Sequence, residues 1–162
     1  MKKTLIIPVL IFSFIFASCK KDVTVTNEKN DITAQANKDI AAKAATTFST
    51  ACTEWHIVTF RVNATDIANN YDGYTFTFCP DHTLMMSNDI LSYNGDWWLY
   101  LAKGGTTNYL QLDFDIPDDP TSKGGILNQL ENMWVIVGMD DTQISLQNQF
   151  GTERLLFVRN SK

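Results

Sequence analysis

The chain has little of several residue types whose abundance would define a class of protein. Its 162 residues include three cysteines and eight glycines, too few for a disulfide scaffold or a collagen-like repeat. Charged residues make up 19% and aromatic residues 12%, a balance that argues against disorder. Acidic side chains outnumber basic ones by 18 to 13, which gives no general attraction to nucleic acid or anionic lipid. We therefore expect one folded domain and no nucleic-acid partner.

The residue patterns of common enzymes are also missing. The only two histidines are His56 and His82, and neither has a metal-ligand partner at the usual spacing. The chain contains no Gly-x-Ser-x-Gly elbow, no Walker loop and no Rossmann glycine pattern. We therefore expect a protein that is not an enzyme and has no cofactor, no catalytic residue and no metal site.

One acidic stretch invites a calcium interpretation. Counted from Asp113, an EF-hand would need glycine where Asp118 stands and glutamate where Gly124 stands. We expect a solvated acidic loop here. A loop calcium site at Asp115, Asp118 and Asp119 is the alternative.

The N-terminus has the pattern of a secretory signal. Lys2 and Lys3 precede an uncharged run over residues 4–16, and small residues then lead into Cys19. A basic start, a short apolar run and a small-residue cleavage site define such a signal, and a membrane-spanning helix would need about 20 apolar residues. We predict a signal peptide over residues 1–18. The alternative is a buried N-terminal helix of a cytosolic protein.

The end of this segment resembles the lipobox of bacterial lipoproteins, and the Ser-Cys-Lys-Lys-Asp sequence from Ser18 is similar to the start of Bacteroidetes lipoproteins. The resemblance implies that Cys19 carries palmitate-type acyl chains and anchors the protein in the cell envelope, at the outer membrane. Loss of Lys2 and Lys3 with the signal leaves 11 basic and 18 acidic residues, a net charge of −7. Since each buried CH₂ contributes about 0.8 kcal/mol, several acyl chains would hold such an acidic protein on a membrane.

Residues 19–51 differ in composition from the rest of the chain. They are rich in threonine, asparagine, lysine and alanine, with a possible short helix over residues 39–45 capped by Asn37 or Asp39. We favour a solvated, lipidated tether. The alternative is a helix that packs on or plugs the following domain, with one side formed by Ile32, Ala36, Ile40 and Ala44.

From Cys52 onward the hydrophobic pattern has a period of two, which predicts half-buried strands. Turn residues such as Asn94-Gly95 and Asp140-Asp141 separate most of them. One face is apolar and the other polar, as in an antiparallel sheet around a core. The predicted strands are 54–61, 73–79, 83–88, 96–103, 108–115, 133–140, 142–148 and 153–159.

Eight short strands with mostly tight connections favour closure, because a barrel removes the two unpaired edges of an open sheet. We predict an all-β fold, an antiparallel up-and-down eight-stranded barrel over residues 52–162. A short helical turn around Ile126 to Leu130 lies between the fifth and sixth strands. A sandwich is the alternative.

An ordered set of short motifs resembles bacterial lipocalin-like lipoproteins. Trp55 is followed by Gly73-Tyr-Thr-Phe-Thr-Phe78, then by Gly95-Asp-Trp97 and by Trp134-Val-Ile136. The resemblance covers residues 52–160 and implies a lipocalin-like barrel, a fold that often binds small apolar ligands.

Alternation predicts which side chains face the barrel interior, and two functions follow from it. The inward residues either line a cavity for a small hydrophobic ligand or fill a core. In the second case the protein is a structural or protein-interaction lipoprotein, and outward Trp98, Tyr100 and Met85 could form a partner-binding patch. We expect a monomer. The candidate ligand-binding residues are Trp55, Tyr74, Phe76, Phe78, Trp97, Leu112 and Phe114.

Cys52 and Cys79 fit one hairpin register. If Trp55 lies opposite Phe76, opposed residue numbers add up to 131, and so do 52 and 79. Directly opposed positions bring Cβ atoms to about 4.5–5.5 Å, near disulfide range. An exported chain meets oxidising conditions. We therefore predict a disulfide on the outer face, with two free thiols as the alternative.

Overall fold

The computed structural model describes residues 25–101, 107–115 and 123–160, with backbone only for residues 25–32, 123 and 124. The predicted signal peptide and Cys19, the predicted site of lipidation, lie outside the described residues. So do Asp118 and Asp119 of the acidic loop.

The described elements are one α-helix, nine strands and two 3-10 helices, the latter at Ala68–Tyr71 and Lys123–Gln129. Every predicted strand is present, but the one predicted over residues 96–103 begins at Ser92, and its residues 102 and 103 lie outside the described residues. The helix and strands are α1 Val25–Thr47, β1 Thr53–Val62, β2 Thr65–Asp66, β3 Thr75–Phe78, β4 Thr83–Ser87, β5 Ser92–Tyr100, β6 Tyr109–Phe114, β7 Asn132–Met139, β8 Gln143–Gln147 and β9 Glu153–Arg159.

The long strands form a closed antiparallel barrel. From β3 to β9 each strand pairs with the next, β1 pairs with β3, and β1 also pairs with β9 to close the ring of eight. The two-residue β2 only extends the end of β1, where Arg61 lies opposite Asp66. The 3-10 helix Lys123–Gln129 lies between β6 and β7, the fifth and sixth long strands. The predicted fold class is confirmed.

Carboxylate-capped turns set two of the tight connections. The Asp81 Oδ1 accepts hydrogen bonds from the Thr83 N–H at 3.1 Å and hydroxyl at 2.7 Å. The Asp140 Oδ1 accepts the same pair from Thr142, at 2.7 and 2.6 Å, and also the Gln143 N–H. These bonds favour the ionised carboxylates and therefore hold the pKa of Asp81 and Asp140 below the usual range.

Two β-bulges change the inward set that strict alternation predicts. In β1 the register shifts between Ile57 and Thr59, so that Phe60 turns inward and is fully buried. In β7 it shifts between Ile136 and Gly138, so that Met139 turns inward and is buried. An extra residue in one strand reverses the alternation beyond it.

Helix α1 and its C-terminal extension cover one end of the barrel. We call this end the helix end. β1 begins there, and the turns that follow Cys79 and Met139 also lie there. Ala44 and Phe48 are buried, and the Asn108 Nδ2 donates to the Asn37 backbone oxygen at 2.8 Å. The helix is 23 residues long. No helix in the described part of the chain is long and apolar enough to cross a membrane.

The solvated tether is therefore wrong for the residues just before the barrel, and the alternative of a packed helix holds there. Asn37 and Asp39 lie inside α1 instead of capping it. The side facing the barrel is made by Ile40, Ala44 and Phe48, while Ala36 is exposed. Ala44 is fully buried, so at this position the helix lies directly against the barrel end.

The opposite end, the loop end, is closed by the two 3-10 helices. Leu127 and Leu130 are fully buried there. The Tyr71 hydroxyl donates to the Ile126 backbone oxygen at 2.7 Å, and burial raises the pKa of Tyr71 well above its usual value. The Trp134 Nε1 donates to the Leu130 backbone oxygen at 2.9 Å. These bonds fix both segments over the barrel.

The predicted disulfide and its register are confirmed. Trp55 lies opposite Phe76, and Cys52 is bonded to Cys79 across 27 residues of sequence. Cys52 is exposed, which places the bridge outside the core as expected. The bond joins Cys52, which lies between the Phe48 segment and β1, to Cys79, which directly follows β3.

We expect loss of this disulfide to destabilise the barrel. Replacing both cysteines with serine should lower the free energy of unfolding by about 3 kcal/mol, because the bridge restricts the unfolded chain. Urea unfolding followed by tryptophan fluorescence measures this difference. Reduced and oxidised wild type form the matched pair, and equal midpoints for the two would contradict the prediction.

Candidate binding surfaces

The predicted interior residues are buried, and aromatic rings pack the helix end of the barrel. Phe48 from the segment after α1 contacts Trp97 at 4.6 Å, Phe78 at 5.3 Å and Trp55 at 6.5 Å between ring centroids. The four rings form one cluster under the helix. Each of the seven candidate residues is at most 8% exposed: Trp55, Tyr74, Phe76, Phe78, Trp97, Leu112 and Phe114.

The packing continues to the loop end. Phe76 meets Phe157 edge-on at 5.2 Å. Below them Phe60 contacts Tyr71 at 5.6 Å and Trp134 at 5.9 Å. Ring contacts therefore follow one another along the barrel axis, which favours a filled core over a ligand cavity.

The polar groups of the interior tryptophans are already satisfied by the protein. The Trp55 Nε1 donates to the Thr53 hydroxyl at 2.8 Å, and the Trp97 Nε1 donates to the Cys79 backbone oxygen at 2.9 Å. The Trp134 donor is used at the loop end, as described above. A ligand pocket usually keeps a few polar groups directed at its ligand, and these three donors are not available for one.

The outer surface of β5, β6 and β7 carries an apolar patch, which we call the aromatic wall: Trp98, Tyr100, Tyr109, Met133 and Val137. Trp98 is 44% exposed, Tyr100 48%, Met133 45% and Val137 47%. Pairing places Tyr100 opposite Tyr109, so the rings occupy adjoining positions across two strands. The outward orientation expected for Trp98 and Tyr100 is observed. Met85 on β4 is also exposed, at 38%.

His82 supports the edge of the aromatic wall. Its ring stacks on the Trp98 ring at 4.6 Å with an angle of 19°. The backbone of His82 has a φ of 72°, and its carbonyl accepts the Trp97 N–H at 2.9 Å. The stack restricts the Trp98 ring. Within the described residues, no group of three or more His, Cys, Asp or Glu side chains could hold a metal ion.

A groove of about 290 Å³ adjoins the aromatic wall on the side of the β8–β9 turn. Tyr109 and Met133 belong to both the wall and the groove, and Phe150, 84% exposed, stands at its margin. Glu153 supplies a carboxylate. The full lining is Tyr109, Asn132, Met133, Asn148, Gln149, Phe150 and Glu153.

Charge is distributed unevenly around the barrel. Strands β3 to β8 contain no lysine or arginine, whereas the three arginines lie on β1 and β9. On the wall side, Asp96 lies directly opposite Asp113, and both are exposed. Like charges at directly opposed positions destabilise a sheet. The Asp96–Asp113 pair therefore does not contribute to the stability of the fold.

A second groove, of about 440 Å³, lies beside the disulfide at the helix end. The Arg159 guanidinium is 6.0 Å from the centre of the Trp55 ring, and its Nη1 donates to the Asp141 backbone oxygen at 3.4 Å. The His56 Nδ1 lies 2.7 Å from the Asn160 Oδ1. These contacts tie the C-terminal strand to β1 and to the turn between β7 and β8.

Comparison with known proteins supports the fold. The chain is similar to a DUF4847 family protein from Bacteroides vulgatus ATCC 8482, whose crystal structure is known. The two share 18% identity, and the similarity covers 74% of this chain and 99% of that one with a TM-score of 0.52. No family model matches the sequence, and no curated protein matches it. At this identity the similarity shows the barrel fold and no activity.

The lining of the groove beside the wall could not be found from the sequence. Tyr109, Met133 and Phe150 are far apart in the chain, and each is unremarkable in its own segment. A solvent-facing aromatic in a turn was the one available signal, and Phe150 next to Gly151 carries it.

Proposed function

We propose that this protein is a lipid-anchored, non-enzymatic lipoprotein of the cell envelope that binds a protein partner on the outside of its barrel. The anchor is the acylated Cys19, and the membrane is the outer membrane. Of the two functions that the sequence leaves open, the filled, protein-binding barrel agrees better with the geometry than a carrier of a small apolar ligand.

The observation that carries this proposal is the packing of the interior. Phe48 closes the helix end against Trp55, Phe78 and Trp97, and Leu127 closes the loop end. An apolar ligand inside the barrel would have to displace several buried rings. Each buried apolar side chain contributes about 1.5–3 kcal/mol, so the displacement would be costly.

The aromatic wall is an exposed surface to which a partner can bind. Exposed tryptophan, tyrosine and methionine are the residues enriched at protein interfaces. Trp98 and Tyr100 share one face of β5, and the stack of His82 on Trp98 holds that ring before a partner binds. A closed barrel has no free strand edge to offer, so binding takes place through side chains.

Photocrosslinking in intact envelopes tests this function. A benzophenone amino acid at Tyr100 should give a discrete adduct with another polypeptide. The same group at Val58, exposed on β1 across the barrel, should give none. Adducts should disappear when Trp98 and Met133 are also changed to alanine. Fractionation of the Cys19→Ser variant from the same cells should find the chain released from the membrane.

Two results would contradict the proposal. One is equal crosslinking from positions 100 and 58, which would show that the wall is not a preferred surface. The other is a stoichiometric apolar compound in organic extracts of the purified protein, which would indicate a carrier function.

A further inference from the structure

We propose, on the basis of the protein-binding function above, that the partner of the aromatic wall is a basic polypeptide segment. Lysine or arginine side chains of this segment lie against Asp96 and Asp113, and its apolar side chains contact Trp98 and Tyr100.

The charges beside the wall are complementary to a basic segment. Asp96 and Asp113 are exposed carboxylates that face each other across β5 and β6. The described strands on this side offer no cation to neutralise them, because β3 to β8 lack lysine and arginine. A lysine or arginine placed between the two carboxylates would replace their repulsion with attraction. It would also lie beside Trp98, which is the next residue after Asp96 on the outer face of β5 and whose ring face attracts cations.

Apolar and acidic groups lie next to each other along the wall. Along β5, Asp96 and Tyr100 lie on either side of Trp98 on the same outer face. At the far side, the groove combines the apolar Met133 and Phe150 with the Glu153 carboxylate. The surface thus repeats an apolar contact next to an acidic one. A segment with alternating apolar and basic side chains matches this order.

Other occupants fit the same surface less well. A second copy docked face to face would bring Asp96 and Asp113 near the same carboxylates of its partner. An anionic membrane would be repelled by those groups. A neutral glycan could stack on Trp98 and Tyr100 but would leave the opposed carboxylates unneutralised.

The test uses the full chain, immobilised, and a short synthetic peptide of alternating leucine and lysine. We expect binding at low salt that weakens as salt rises, because exposed charge pairs are screened over about 10 Å at 0.1 M. The Asp96→Asn, Asp113→Asn double variant should weaken binding by at least about tenfold, and so should Trp98→Ala with Tyr100→Ala. The control Glu54→Gln removes an exposed carboxylate from β1 across the barrel and should change affinity by less than about twofold.

Two matched peptides separate the contributions. Replacement of lysine by glutamate should abolish binding, and replacement of leucine by serine should weaken it. The double Asp variant retains side-chain size at both exposed positions, so thermal unfolding at the same or a higher temperature would show that the fold is intact.

The outcomes distinguish this inference from the proposed function. If changing Trp98 and Met133 abolishes the crosslink from position 100 in envelopes while the Asp96→Asn, Asp113→Asn variant binds the peptide normally, the wall binds a protein but the basic partner is wrong. Equal binding of the leucine–glutamate peptide would also overturn the inference. So would displacement of the peptide by a neutral oligosaccharide, which would indicate a glycan instead. Loss of peptide binding in the Asp variants together with salt sensitivity supports it.

Discussion

Gly95→Ala is expected to lower the free energy of unfolding by about 3 kcal/mol or more. Gly95 is buried in β5, and a Cβ built on it would lie 2.1 Å from the Asp113 backbone oxygen and 2.8 Å from the Phe114 Cα. Both obstacles are backbone atoms, so no side chain can move aside. Strands β5 and β6 would have to separate where Gly95 lies opposite Phe114, next to the Asp96–Asp113 pair.

Urea unfolding measured by tryptophan fluorescence tests this effect. The matched control is Gly138→Ala in β7, where the added Cβ would meet only the Ser145 Cβ at 3.8 Å, an ordinary contact. We expect the control to change stability by less than about 1 kcal/mol. Similar midpoints for the two variants would show that the approach of β5 to β6 is not what requires glycine at position 95.

Phe48→Ala is expected to cost about 3–5 kcal/mol, the usual loss for a buried phenylalanine. The side chain is 3% exposed, and its ring contacts Trp55, Phe78 and Trp97. Removal of the ring leaves an apolar space between α1 and the barrel. An apolar cavity of this kind stays dry and can bind a small aromatic compound.

Two measurements check this prediction. Phe150→Ala, the same substitution at an 84% exposed position, should leave the unfolding midpoint unchanged. Benzene or a similar compound should raise the midpoint of Phe48→Ala but not that of wild type, since a ligand that binds only the folded state stabilises it. A wild-type response equal to that of the variant would show that the barrel already has an accessible cavity.

The sequence alone predicted the β-barrel because the signals for its strands and turns are local. Alternation along each strand and turn residues between strands are read over a few positions, and closure follows from the need to cover edges. The pairing of Cys52 with Cys79 also followed from the sequence, because one hairpin register places both at opposed positions. The inward orientation of Trp97 and the outward orientation of Trp98 are consequences of the same period.

Alternation failed where the chain departs from a regular strand. The bulge after Ile57 turns Phe60 inward, and no feature of the surrounding sequence distinguishes the extra residue. β7 is apolar on both sides, so the orientation of Trp134 could be decided only by its neighbours on β6 and by the loop end.

The tertiary structure decided how the aromatic side chains fill the barrel. The sequence places aromatic side chains inside the barrel but does not reveal whether they leave a cavity, because that depends on segments outside the strands. Phe48 and Tyr71 come from such segments, and their rings fill the two ends. The sequence likewise gives Asp96 and Asp113 as separate exposed residues. Only strand pairing places them opposite each other beside Trp98. The two residues are 17 positions apart in the chain, and this separation does not reveal that they are neighbours in space.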